Sequence, residues 1–295
     1  MSSKNNVCFF NGEPANSVPV DDRGLSYGHG LFETIRLSNG SAPLWNYHFS
    51  RLTGDAAKLS IKIDGYLLQG YLEQLIMACP ADGIIKVIVT AGSGGRGYRS
   101  SSLHPNYLLQ WFPLSDHPVS HQTLGIALKH CQHPLSHSPQ LAGIKHLNRL
   151  DQVVARSEWG SKYPEGLMLD QQGNVIEAVS SNLFFYREGV WLTPKLDQCG
   201  VKGVMRQYLM EELMMEQQIG QSTEQQLPGL SNQVEEVTCS LDLLLSSEEV
   251  FVCNSIIGIW PVLSLESRGS WSLGKHTKRL QNSLYKALPH YGSSL

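Results

Sequence analysis

The chain has 295 residues, 41% of them hydrophobic and 17% charged, a length that predicts two domains and a composition that predicts an ordinary globular protein. Its 23 Lys plus Arg against 26 Asp plus Glu give a net charge of −3 with no run of basic residues, which excludes the electrostatic footprint of a nucleic-acid binder. The most apolar long stretch, 250–263, is too short to span a bilayer and contains Asn254, Ser255 and Gly258, so no membrane association is expected.

Residues 7–10 and 31–37 read as strands, the second with period-two character, and Ser38-Asn-Gly40 supplies a turn. Apolar residues at helical spacing predict helices over 47–61 and 66–77. Residues 84–90 form a β-branched strand and 106–112 another. The stretch 116–122, with Pro118 and Ser120, reads as a linker between an N-terminal α/β domain over 1–115 and a larger C-terminal domain over 123–295. Beyond it come a strand at 125–130 and a helix over 148–159, whose recurring apolar face holds Leu147, Leu150, Val153, Val154 and Trp159. Two hairpins follow, 166–170 with 175–179 and 183–186 with 190–192, and then amphipathic helices over 203–218 and 274–288. Strands with interspersed helices, without a regular βαβ alternation, make this an α+β arrangement. Six scattered cysteines without a Cys-x-x-Cys pair, and an N-terminus lacking the apolar core of a signal peptide, fit reduced thiols in a cytoplasmic protein.

Four places carry candidate chemistry. Lys145 follows Ala142, Gly143 and Ile144 at the expected entry to a helix, an apolar setting in which desolvation lowers a lysine pKa and suits it to covalent chemistry with a carbonyl. Gly92-Ser-Gly-Gly-Arg-Gly97 satisfies a dinucleotide fingerprint, but Pro105 and a strand follow where that fingerprint needs a helix. It reads better as a turn holding Arg96, whose planar fork suits a carboxylate. The helix opening at Gly203 offers unpaired amides to an anion, with no acid in its first turn. Glu177 interrupts an apolar strand, and Asn182 in the following turn is a further candidate for orienting a site. His130-Gln-His-Pro-Leu-Ser-His137 has metal-like spacing, but Pro134 and Pro139 break it into loop and no acid lies nearby in sequence, so no metal is expected.

In order, the chain carries Asp22-Arg-Gly-Leu-Ser-Tyr-Gly-His-Gly-Leu-Phe-Glu-Thr-Ile-Arg36, His48-Phe-Ser-Arg-Leu52, Gly92-Ser-Gly-Gly-Arg-Gly-Tyr98, Gly143-Ile-Lys-His-Leu-Asn-Arg-Leu150, Glu177-Ala-Val-Ser-Ser-Asn-Leu-Phe184 and Gly200-Val-Lys-Gly-Val-Met-Arg206. This set closely resembles the pyridoxal-phosphate enzymes of fold type IV, the group of D-amino acid and branched-chain aminotransferases, from about Phe10 to about Val262. The resemblance implies a smaller α/β domain, a larger barrel-like domain carrying the cofactor lysine, and a cytoplasmic homodimer. It implies pyridoxal 5'-phosphate bound to Lys145, its ring nitrogen facing Glu177. The phosphate would lie on the amides of Val204 and Met205, with Arg51 and the Asn254-Ser255 segment, and a substrate carboxylate on Arg96 beside Tyr98.

Within the group, the glycine turn, the Lys145 segment and Thr34 look most like the lyase branch. That branch converts 4-amino-4-deoxychorismate to 4-aminobenzoate and pyruvate, a step of folate biosynthesis, and the position of Thr34 carries a hydroxyl assisting proton delivery. A D-amino acid or branched-chain aminotransferase of the same fold is the alternative, and a pyridoxal-phosphate carrier without turnover is a rival of another class. His29 receives no role.

Overall fold

A computed structural model describes residues 7–94, 96–99, 104–114, 116–222 and 234–292. Gly95 of the glycine-rich turn and residues 100–103 beyond it lie outside the described residues. The chain divides into two compact units, one of Met1–Asp116 with Ile144–Asn148, the other of His117–Gly143 with Arg149–Leu295. Lys145, expected in the second domain, is therefore grouped with the first.

The first unit is built on β1 (Cys8–Phe10), β2 (Glu13–Pro14), β3 (Gly30–Leu37), β4 (Gly83–Thr90) and β5 (Asn106–Phe112), all antiparallel, in the order β2-β1-β5-β4-β3. Along β3 the residues alternate: Leu31, Glu33, Ile35 and Leu37 are buried, while Phe32, Thr34 and Arg36 are half-buried on the other face. The buried face shares a core with Leu52 and Ala56 of α2 (Trp45–Lys58) and with Leu68, Leu72 and Leu75 of α3 (Gly65–Ala78). A short helix that the periodicity does not reveal, α1 (Arg23–Tyr27), precedes β3; the Asp22 carboxylate caps it by accepting from the Gly24 amide at 2.7 Å.

Residues 144–147 add to the open edge of β3. Leu31 pairs with His146, the Phe32 amide donates to the Lys145 carbonyl at 3.1 Å, and the Leu147 amide to the Gly30 carbonyl at 3.0 Å. Ile144 is wholly buried in the core. Lys145 thus stands on an extended segment and not at a helix entry. The unpaired backbone groups of an edge strand favour this pairing, and helix begins only at α5 (Leu150–Arg156).

The apolar face expected on α5 is also not its packing face. Leu150, Val153 and Val154 are 75%, 61% and 46% exposed, and Ala155 alone enters a core, with Cys131, Leu135, Met168 and Ile176.

The second unit holds a ten-stranded mixed sheet. Its strands are β6 (Ile126–His130), β7 (Glu165–Leu169), β8 (Asn174–Ala178), β9 (Asn182–Arg187), β10 (Val190–Pro194), β11 (Val234–Val237), β12 (Cys239–Ser240), β13 (Glu249–Asn254), β14 (Gly258–Leu265) and β15 (Gly269–Ser270). They run in the order β11-β10-β9-β13-β14-β6-β7-β8-β12, with β15 on β14. The apolar stretch 250–263 is the β13–β14 hairpin at the middle of this sheet, buried along most of its length, which explains its unbroken hydrophobicity. A short α4 (Ser120–Thr123) precedes β6, the long helix α6 (Val204–Ser222) follows β10, α7 (Leu241–Leu245) follows β12, and α8 (Lys275–Ala287) follows β15. All six cysteines are free, and burial pushes the thiols of Cys131, Cys199 and Cys239 up to about 12. Among the described residues no helix is long and apolar enough to cross a membrane.

Candidate active site

In the first unit, the register of 144–147 on β3 sets Lys145 opposite Phe32 and on the sheet face that also bears Thr34. The Lys145 Nζ lies 4.4 Å from the centre of the Phe32 ring, and Nζ of Lys86, which pairs with Thr34, lies 5.5 Å from it. A ring face carries negative charge, so the Phe32 ring attracts the Lys145 amine and helps to fix its position.

The opposite face of β3 places Glu33 against α2. His48 and Arg51, one helical turn apart, both reach its carboxylate. The Arg51 Nε donates to Glu33 Oε1 at 2.8 Å, its Nη2 donates to Oε2, and His48 Nδ1 lies 2.6 Å from Oε2. Burial would raise the Glu33 carboxyl, but Arg51 and His48 overcome it and hold the group at about 2. Burial lowers the His48 imidazole against the pull of Glu33, so it stays neutral and donates through Nδ1. Arg51, expected on a phosphate, has two of its donors on Glu33. The pattern of Glu33 on a strand with His48-x-x-Arg51 on a helix was visible in the sequence, and only the fold shows that the three converge.

Arg96 and Tyr98 lie in the turn between β4 and β5 and are both exposed, Tyr98 by 88%. Gly92 opens this turn at a φ of +90°, and a side chain there would run into the His104 carbonyl.

In the second unit, Glu177 on β8 is only 4% exposed. Its Oε2 accepts from the Val201 amide at 2.9 Å and its Oε1 from Gln152 Nε2 at 3.4 Å. Burial lowers the nearby Arg149 guanidinium, which the Glu177 charge partly offsets. Asn182, at the start of β9, clasps the same loop: its Nδ2 donates to the Val201 carbonyl at 2.8 Å and its Oδ1 accepts from the Gly203 amide at 3.0 Å. One loop therefore connects the Glu177 carboxylate to the start of α6. There the amides of Val204 and Met205 precede the first intrahelical donor, Gln207 N to Gly203 O at 3.0 Å. Arg206 anchors this turn through Thr193 Oγ1, the Pro194 carbonyl and Glu236. Asn254 is engaged in shaping its own turn, with Oδ1 accepting from the amides of Ile256 and Ile257, while the Ser255 carbonyl accepts from the Tyr291 hydroxyl. His133 and His137 are paired with Asp151 and Asp170, acids that the sequence alone did not bring near them.

A family profile described as amino-transferase class IV matches residues 30–265. The chain belongs to the class IV aminotransferase family. Among class IV members, the chain is 34% identical to a Vibrio harveyi protein named aminodeoxychorismate lyase, over 93% of this chain and 98% of that one. A crystal structure of 4-amino-4-deoxychorismate lyase from Pseudomonas aeruginosa superposes with a TM-score of 0.88 at 38% identity, covering 95% of this chain and 99% of the other. A Bacillus licheniformis protein named D-alanine aminotransferase is 26% identical over 92% of each chain. The two-sheet α+β architecture is that of the family.

Proposed function

We propose that the protein is a pyridoxal-phosphate-dependent lyase converting 4-amino-4-deoxychorismate to 4-aminobenzoate and pyruvate, a step of folate biosynthesis. The observation that carries this reading is identity of 34% and 38%, over nearly the whole of both chains, to two proteins named as that lyase. The donor set suits the cofactor of the family. The first unit offers a primary amine on an aromatic face and an arginine, and the second offers a buried carboxylate suited to a ring nitrogen and helix amides suited to a phosphate.

When bound, pyridoxal phosphate supplies a carbonyl for amine capture and a ring that withdraws electrons from the carbon beside the substrate nitrogen. Lys145 would hold it covalently, and its amine, once free, would serve as the base for the proton on the amine-bearing carbon of the substrate. Glu177 would keep a proton at the ring nitrogen. The Val201 amide and Gln152 hold that carboxylate in position. Val204 and Met205 would bind the phosphate through their amides, and Arg51, Ser255 and the turn that Asn254 shapes are the further groups proposed for it. Arg96, beside Tyr98, binds a substrate carboxylate in bidentate fashion. Thr34, one place along the face from Phe32 and Lys145, assists proton transfer to the departing enolpyruvyl oxygen. Proton loss and departure of that oxygen leave an aromatic ring, which draws the elimination forward.

The D-alanine aminotransferase relative favours a second reading, amino-group exchange with a keto acid. Supplying purified protein with 4-amino-4-deoxychorismate, and separately with a D-amino acid and a keto acid, tests both. The lyase reading expects stoichiometric 4-aminobenzoate and pyruvate, and exclusive keto-acid exchange overturns it. We also propose a cytoplasmic homodimer: the exposed apolar row of Leu150, Val153 and Val154 on α5 is a surface that a second copy would cover. Sedimentation at twice the 32.7 kDa chain mass is expected, and a monomer at micromolar concentration refutes it.

A further inference from the structure

The glycine-rich turn is pinned at both ends to one short stretch of chain. At its start, Asp22 pairs with Ser93, the Arg23 amide donates to the Gly92 carbonyl at 3.0 Å, and the Gly94 amide to the Asp21 carbonyl at 3.4 Å. The Asp22 carboxylate also accepts from Thr90 Oγ1 at 2.8 Å and Asn106 Nδ2 at 2.7 Å, tying this point to the strands that flank the turn. At the far end, the Arg23 side chain donates from Nη1 to the Gly97 carbonyl at 2.9 Å and from Nη2 to the Tyr98 carbonyl at 3.1 Å. The Gly97 amide donates to the Tyr27 hydroxyl at 2.9 Å. The Tyr98 ring packs edge-on against Tyr27, with centroids 5.7 Å apart.

Arg23 is an unusual residue for this work. It is only 2% exposed, yet among the described residues no carboxylate is within ion-pair distance of it. A buried cation without a counter-charge is costly unless its donors are satisfied. Here the donors meet two turn carbonyls and, from Nε at 3.4 Å, the Nδ1 of His29, while the guanidinium carbon lies 4.7 Å from the centre of the Tyr27 ring. The other nitrogen of His29 lies 3.0 Å from the Leu59 carbonyl. A carbonyl only accepts, so Nε2 carries the proton and Nδ1 is left as the acceptor that Arg23 requires. The guanidinium is thus satisfied by geometry and not by a counter-charge: its hydrogen bonds end on the turn or on His29, which orients Arg23 toward it.

We propose that Arg23, with Tyr27 and His29 behind it, is the positioning element that presents Arg96 and Tyr98 to the substrate, so that this brace sets substrate recognition while leaving the cofactor chemistry untouched. The proposal rests on the reading of Arg96 as the carboxylate-binding residue. None of the three residues contacts Lys145 or Glu177 through any hydrogen bond above, and each acts through the turn.

The test uses the cofactor-loaded protein and two brace variants. Tyr27→Phe deletes one hydroxyl, and Arg23→Lys keeps the charge but loses the planar fork that spans the two carbonyls. Two readouts are taken beside steady-state kinetics: the absorbance of bound cofactor, and the rate of tryptic cleavage after Arg96 and Arg99, which are exposed in the turn. For Tyr27→Phe we expect unchanged cofactor occupancy, kcat within two-fold, KM for 4-amino-4-deoxychorismate raised about three- to ten-fold, and faster cleavage in the turn, on the scale of one hydrogen bond. Arg23→Lys should move KM and cleavage further in the same direction. Should it fail to fold, Tyr27→Phe decides alone. Unchanged cleavage overturns the proposal, because the brace then does not hold the turn. Faster cleavage with unchanged KM, while Arg96→Lys does raise KM, overturns it as well. If Arg96→Lys leaves KM unchanged, the carboxylate reading itself has failed, which the cleavage assay registers separately from the brace. Loss of cofactor or a fall in kcat matching the rise in KM would make Arg23 and Tyr27 general fold residues and refute the assignment.

Discussion

Glu33→Gln isolates the buried triad from the rest of the first unit. The glutamine keeps the shape and still accepts one hydrogen bond, but it removes the charge on which Arg51 and neutral His48 converge. The Glu33 carboxyl falls from 4.5 to about 2 in the folded protein, and at about 1.4 kcal/mol per unit the ionised group contributes about 3 kcal/mol at neutral pH. Because the folded value is depressed, that contribution is complete above the unfolded value, from about pH 5 upward, and drains as pH falls toward 2. About 2 kcal/mol of it should be gone by pH 3. Urea unfolding of wild type and Glu33→Gln, followed through the fluorescence of Trp45 and Trp111 in the same unit, gives the difference in stability at pH 7 and at pH 3. The difference should be large at pH 7 and shrink by about 2 kcal/mol at pH 3. A difference that is the same at both values would show that Glu33 is not held ionised by its neighbours, and the account of the triad would fall.

Lys145→Ala should lose the visible absorbance of attached cofactor and essentially all turnover, and borohydride reduction of wild type followed by peptide mapping should place the tag on Lys145; a tag on another lysine refutes the assignment. Glu177→Gln should retain cofactor but slow turnover by orders of magnitude, since an amide does not keep a proton on a pyridine nitrogen; full activity with bound cofactor would remove Glu177 from the site. Thr34→Val deletes a hydroxyl while keeping the shape of a half-buried strand residue, and should lower 4-aminobenzoate formation about ten-fold or more with little effect on amino-group exchange with a D-amino acid. An equal loss of both activities would make Thr34 structural.

The elements with one buried face were legible in the chain. β3, β4 and β5, α2 and α3 appear within a few residues of their predicted bounds, because alternation or helical spacing there reports a single core. The failures have a common origin in tertiary pairing. Lys145 sits among residues that read as a helix entry, but the open edge of β3 claims the segment first. The spacing of Leu150, Val153 and Val154 is helical, yet periodicity states only that a face is apolar and not what covers it. Of the site, Lys145 and Glu177 stood out as single residues out of place in apolar surroundings. Glu33 and Arg23 did not, since their roles depend on partners 15 or more residues away in sequence, and Asn182, though a candidate, showed its clasp on the Val201–Gly203 loop only in the fold. Arg51 was expected on a phosphate by resemblance alone, and its engagement with Glu33 was not legible.

The pairing of 144–147 with β3 has a consequence for how the sheet edge is protected. β3 ends its sheet, and an edge strand exposes donors and acceptors onto which another chain can add. The segment that carries Lys145 occupies the first three residues of that edge, with Phe32 and Gly30 satisfied by its backbone and Ile144 sealing the core beneath. The lysine is therefore delivered by the strand that also shields the sheet from self-association. A substitution that loosens this segment, such as one at Ile144, would disable the amine and uncover an aggregation-prone edge in the same event. Selection against misassembly and selection for the chemistry then act on the same few residues.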